Sequence, residues 1–70
     1  MGFKGKRLAH AREALNLTQD QLGAIVGRTI TTISNWERGA TVPAPRMQIV
    51  LATALGCDTS FFYSGKRRAG

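Results

Sequence analysis

Residues 19–38 read QDQLGAIVGRTITTISNWER. Two short helical patterns meet in this stretch. Thr18-Gln19-Asp20-Gln21 opens the first as a capping box, in which the Thr18 hydroxyl accepts from the Gln21 N–H and the Gln21 amide reaches back. Leu22, Ile25 and Val26 supply its apolar side, and Gly27 is a natural left-handed stop. Residues 29–33 are all β-branched, so propensity alone says strand. A lone strand has no partner in this chain, however, and Ile33 and Trp36 continue as a helical face that Gly39 ends. The reading is therefore a second helix from about Ile30 to Arg38, with Thr29 as its N-cap. Gly23, inside the first helix, costs ~1 kcal/mol relative to Ala. Its use would be to leave room where another helix crosses.

Working outward, Leu8, Ala11 and Leu15 recur at helical spacing with Arg12 on the same face. They predict a helix from Lys6 that Asn16 breaks. Residues 1–5 read as a flexible basic N-terminal arm. Downstream, residues 41–45 form a loop with two prolines, and Pro45 suits the first turn of another helix. That helix runs through Met47, Val50, Leu51, Ala54 and Leu55 and stops at Gly56. Asp58 or Thr59 caps a last turn carrying Phe61, Phe62 and Tyr63, and residues 66–70 are a basic tail. The expected fold is all-α, one domain of short helices over residues 6–65.

Composition narrows the chemistry. The chain has 70 residues, 43% hydrophobic and 20% charged, and a formal charge of +6. A domain of this size buries only about 60% of its unfolded surface, so a deep substrate cleft is not expected. One Cys excludes an internal disulfide or a Cys-rich zinc site and suggests a reducing, cytoplasmic setting. The charge favours a polyanionic partner, nucleic acid before membrane. It lies at the two ends: Lys4, Lys6, Arg7 and Arg12 against Glu13, then Lys66, Arg67 and Arg68. Arg28, Arg38 and Arg46 are balanced by Asp20, Glu37 and Asp58. The longest purely apolar run is residues 49–52, far short of the ~20 needed for a span, so no membrane partner is expected. His10 and Cys57 stand without further ligands at metal spacing. No Ser/His/Asp set or Gly-rich phosphate loop is present, so no metal, cofactor, small-molecule ligand or enzyme activity is expected.

Two helices joined through Gly27 make a helix-turn-helix. The ordered pieces are Leu17-Thr18-Gln19, Leu22, Val26-Gly27, the run from Thr32 to Gly39, Pro43, and the run from Leu51 to Gly56. Through them the chain resembles the Cro/repressor-type (XRE, lambda-repressor-like) helix-turn-helix family of phage and bacterial regulators, over roughly residues 6–65. The resemblance implies five helices, the third entering the DNA major groove. Physics agrees that such a helix should look unusual. Thr29, Ile30, Thr31, Ser34 and Asn35 are poor choices for an ordinary solvated helix. They suit base edges: Asn pairs with adenine, and Thr or Ile methyls meet thymine methyls. Ile30 reads equally as core.

The resemblance also implies phosphate contacts from Thr18 and Gln19 at the start of the second helix, with its backbone N–H groups adding to an anion site. Thr41 and Arg46 flank the loop after the third helix, where the family meets the backbone again, and Arg38 precedes it. Arg28 replaces an apolar turn residue and either reaches a phosphate or is solvated. Lys4, Lys6 and Arg7 either track the duplex or solubilise the terminus. The loop from Ala40 to Pro45 departs from the family in lacking Lys and Arg. Arg12 and Glu37 are expected to form a structural ion pair. The region after Gly56, with Cys57, Phe62 and Tyr63, is expected to supply a homodimer seam. The leading reading is a dimeric repressor on a two-half-site operator. The alternative, from the neutral middle of the chain, is an antitoxin or regulator-inhibitor module on the same fold.

Overall fold

The computed structural model describes residues 2–64. Five helices follow in order: α1 (Gly5–Ala14), α2 (Gln19–Val26), α3 (Ile30–Glu37), α4 (Pro45–Leu55) and α5 (Phe61–Ser64). Strands are absent among the described residues, and the β-branched run is helical from Ile30 with Thr29 as its extended cap, as periodicity required and propensity did not. The Thr29 hydroxyl caps α3 by accepting from Thr32 N–H at 3.2 Å. At α2 the full capping box forms, with Gln21 N–H donating to Thr18 Oγ1 and Thr18 N–H to Gln21 Oε1. Gly27 then turns left-handed at φ 75°, and Asn16 does the same between α1 and α2 at φ 59°.

The core is a narrow stripe. Leu8 and Ala11 of α1, Leu22 and Val26 of α2, Ile33 and Trp36 of α3, Leu51, Ala52 and Leu55 of α4, and Phe62 of α5 are buried together. Each of α1 to α4 contributes residues three or four apart and so turns one stripe inward, and α5 adds Phe62 alone. Leu15, Ile25 and Val50 were expected in this core and are exposed. Leu15 lies past the end of α1, where the helical pattern no longer places it. Ile25 points off the Leu22–Val26 stripe, and a domain this small cannot cover the wider face.

Both ends of the described segment are tied into the fold. Residues 2–5 are not a free arm: Gly5 is already helical, Lys4 N–H donates to Phe62 carbonyl oxygen at 2.7 Å, and Phe3 packs on Phe62 with ring centroids 5.2 Å apart. Gly5 sits so close to the Trp36 and Glu37 carbonyls that a Cβ there would overlap both. That contact sets the Lys4–Lys6 segment beside the C-terminal end of α3. Gln48 is buried in α4, where its amide donates to the Pro43 carbonyl at 2.8 Å and accepts from Tyr63 hydroxyl. One side chain therefore ties the 41–44 loop to α5.

The crowding at Gly23 has a different source from the expected one. A Cβ there would lie 2.5 Å from the Arg28 carbonyl oxygen, which belongs to the turn itself and not to a crossing helix. Gly23 carbonyl oxygen also accepts Arg28 N–H at 2.8 Å, so turn and helix are locked together at this residue.

Arg12 and Glu37 form the ion pair that joins α1 to α3. Arg12 Nε donates to Glu37 Oε2 at 2.7 Å and Nη2 donates to Oε1 at 3.0 Å. Arg12 Nη1 also donates to Leu17 carbonyl oxygen at 2.7 Å, holding the α1–α2 connection. The Glu37 hydrogen bonds hold the guanidinium pKa above its ordinary value, against the opposing effect of burial. A raised pKa contributes stability that is lost only as pH rises through it, above the ordinary arginine range, so Arg12 stays charged at neutral pH.

Two stability measurements check this architecture by denaturant unfolding. Gly23→Ala gains helix propensity but must push the turn away, and should destabilise by about 1–3 kcal/mol. Glu37→Ala leaves the Arg12 guanidinium only the Leu17 carbonyl and the exposed Glu13 carboxylate, 3.5 Å away, and should cost up to about 3–5 kcal/mol. A Glu37→Ala protein as stable as the parent would show that the pair does not hold the helices.

Candidate nucleic-acid interface

Local sequence places the exposed face of α3 on the far side of its buried residues. Ile33 and Trp36 face the core, which leaves Ile30 and Thr31 outward and Ser34 and Asn35 half-buried along the same helix. Ile30 is 49% exposed, so it belongs to the outward face and not to the core. Thr29 is exposed but its hydroxyl is already used: it caps α3 and lies 3.1 Å from Thr32 Oγ1. Thr31 and Asn35 lie one turn apart. The face thus offers hydroxyls, an amide and methyl groups, with no charge of its own until Arg38.

The start of α2 lies against the end of α3. Gln19 Nε2 donates to Glu37 Oε1 at 3.0 Å, on the carboxylate that already binds Arg12. Gln19 therefore braces α3, and this side-chain bond takes one of its two amide hydrogens. Thr18 is exposed with its oxygen accepting in the capping box. A carboxylate with several donors is well compensated when buried, and the Glu37 side chain is only 8% exposed. Three helices consequently meet at one charged cluster at the C-terminal end of α3.

The basic side chains divide by what already holds them. Lys4, Lys6, Arg28, Arg38 and Arg46 are exposed. Arg28 folds onto Gly27 carbonyl oxygen at 2.9 Å within the turn. Arg38, the C-cap of α3, reaches back to Asn35 Oδ1 at 2.7 Å. Arg7 is the most committed to the protein. Its guanidinium carbon stands 4.0 Å from the Phe61 ring centroid, and Nε donates to Phe61 carbonyl oxygen at 3.2 Å. It works as a clasp between α1 and α5. Thr41 is exposed beyond α3, with its N–H directed to Asn35 carbonyl oxygen at 3.3 Å. Lys66, Arg67 and Arg68 lie outside the described residues.

The expected dimer seam needs correction. Phe62 is 0% exposed and sits in the core, so it is no surface residue. Phe3 covers it from one side and Phe61 packs edge-on at 6.2 Å. Tyr63 is half-buried and turns its hydroxyl inward to Gln48. Cys57 is half-buried against the core, and burial and the neighbouring Asp58 carboxylate push its thiol up from the ordinary value. Sequence reasoning missed Gln48 and the Arg38–Asn35 bond. The second had a readable signal, a donor three residues beyond an amide on one helix. Among the described residues no group of three or more His, Cys, Asp or Glu side chains could hold a metal ion. Among them no helix is long and apolar enough to cross a membrane.

Comparison with known proteins agrees with this geometry. The repressor protein C2 of Salmonella phage P22 is 34% identical over 61 residues, covering 87% of this chain. The chain spans about a quarter of that relative, 28% of its length. The structure of the P22 c2 repressor in complex with a synthetic operator superposes with a TM-score of 0.84 at 32% identity, covering 94% of this chain and 100% of that one. The restriction-modification controller protein C.AhdI of Aeromonas hydrophila gives 0.78 at 29% identity, covering 84% and 86%. The helix-turn-helix domain family matches residues 5–60, from the first residue of α1 to the turn before α5. With the match running through both helices of the motif and most of the chain, the protein belongs to the helix-turn-helix domain family.

Proposed function

We propose that the chain is a sequence-specific double-stranded DNA-binding regulator of transcription, similar to phage repressors, that reads its operator with α3. The observation that carries this is the outward face of α3. It presents Ile30, Thr31, Ser34 and Asn35 while Glu37, the last residue of the same helix, is clamped by Arg12 and Gln19. A helix held rigid on one side and bearing short uncharged polar groups on the other is built to meet base edges. The similarity to a repressor solved on operator DNA supports the same reading.

In this reading Thr31 and Asn35 make the central base contacts, with Ser34, the Thr29 methyl and Ile30 around them. Thr18, Gln19, Arg28, Thr41 and Arg46 flank the face and meet phosphates. Lys4 and Lys6 add phosphate attraction beside the end of α3, and Arg7 does so less, because Phe61 holds it. The protein acts as a homodimer on half-sites about one helical turn apart, ~34 Å. It works by occupying DNA, without catalysis, in the cytoplasm. With Phe62 in the core, the dimer seam uses other residues of the region after Gly56, such as Cys57 and the outer edge of Tyr63.

Binding titrations on selected and unrelated duplexes test the reading. Asn35→Ala should lose about 1–3 kcal/mol of discrimination at one base pair. Binding should weaken with added salt, log affinity falling by ~0.9 per phosphate contact for each unit of log salt. Equal affinity for every DNA sequence would remove the specific-regulator reading and favour a protein-interaction module.

A further inference from the structure

Asn35 is held twice. Its backbone carbonyl accepts N–H groups from Ala40 at 2.9 Å and Thr41 at 3.3 Å, which fixes the main chain where α3 gives way to the loop. Its side-chain Oδ1 accepts from Arg38 Nη2 at 2.7 Å. The donor is charged, so this bond is shorter and stronger than a neutral one. Arg38 is the C-cap of α3, where a cation also sits well against the negative end of the helix.

An asparagine amide has an acceptor edge and a donor edge, and a half-turn about its last bond exchanges them. With Oδ1 directed to Arg38, the half-turn is blocked and Nδ2 is the edge that faces away from the guanidinium. We infer that Arg38 is a specificity-determining positioning residue, which fixes the Asn35 amide so that Asn35 enters the groove as a hydrogen-bond donor. The inference rests on the reading of Asn35 as a base contact given above.

The chemistry of the groove makes this specific. Adenine and guanine offer the N7 acceptor, guanine adds O6, and thymine offers O4, whereas cytosine presents only the N4 donor. A donor-led Asn35 therefore accepts a purine or thymine and rejects cytosine at the contacted position. An unbraced asparagine turns its oxygen to cytosine N4 and loses that exclusion. The remaining N–H groups of Arg38 stay free for a phosphate, so the same side chain ties backbone register to base readout.

The experiment is selection of bound duplexes from a half-site library, for the parent chain, Arg38→Ala, Asn35→Ala and the double variant. Helicity is measured in parallel; Arg38 is exposed, so the single variant should remain folded. The parent should exclude cytosine at one position by about 5- to 150-fold. Arg38→Ala should admit cytosine at that same position, Asn35→Ala should flatten it, and the double variant should go no further than Asn35→Ala. If Arg38 merely touches a phosphate, Arg38→Ala will weaken every sequence equally and lower the salt slope by ~0.9 with base preference unchanged. That result, with Asn35→Ala still altering preference, overturns the inference alone. Unchanged preference in Asn35→Ala instead removes the base-contact reading, and the inference with it.

Discussion

Glu37 places a carboxylate where α1, α2 and α3 meet, and Arg12 and Gln19 both donate to it. A carboxylate taken out of water is tolerable only when its lone pairs are filled. Here the charge comes from α1 and a further donor from α2, so satisfying one anion fixes the mutual orientation of three helices. Arg12 extends the lock to the Leu17 carbonyl before α2. The same helix that carries the anion inward carries Thr31 and Asn35 on its other side. Rigidity behind and polarity in front are thus two consequences of one placement.

The apolar part of the fold is thin by comparison. One narrow stripe per helix is buried, while Ile25, Ile49 and Val42 stay in solvent. Thin cores gain from polar fastening at their edges, and this chain uses several such fastenings. Gln48 ties the loop after α3 to α5, Arg7 clasps Phe61, and Lys4 N–H reaches the Phe62 carbonyl. Gly5 and Gly23 let backbone approach backbone where a Cβ would not fit. The consequence for function is that both flanks of α3 are anchored, the turn before it and the loop after it.

The charge of +6 takes on a more specific meaning in the folded chain. Lys4 and Lys6 stand beside the end of α3 through the Gly5 contact, although they are remote from it in sequence. Arg7 is diverted into holding α5, and Arg38 into holding Asn35. A cation count therefore overstates how many side chains are unengaged, and it does not show that some of them position neutral groups.

Much of the architecture could be read directly from local pattern. The capping box at Thr18, the left-handed stop at Gly27, the Thr29 cap and the Pro45 start are local events, decided by residues within a few positions of one another. Helical periodicity outweighed strand propensity at 29–33 for the same reason. The outward set on α3 followed from the placement of Ile33 and Trp36. What local pattern could not decide was anything needing contact between distant segments. Phe62 looked like a seam residue and became core because Phe3 and α1 close over it. Gly23 looked like a helix crossing, yet the turn's own carbonyl crowds it. Gln48 looked like an ordinary helix residue until Pro43 and Tyr63 were brought to its two edges. Hydrogen-bonding capacity is a property of the residue and is written in the sequence. Which partner fills it depends on which surfaces meet, and only folding brings those surfaces together.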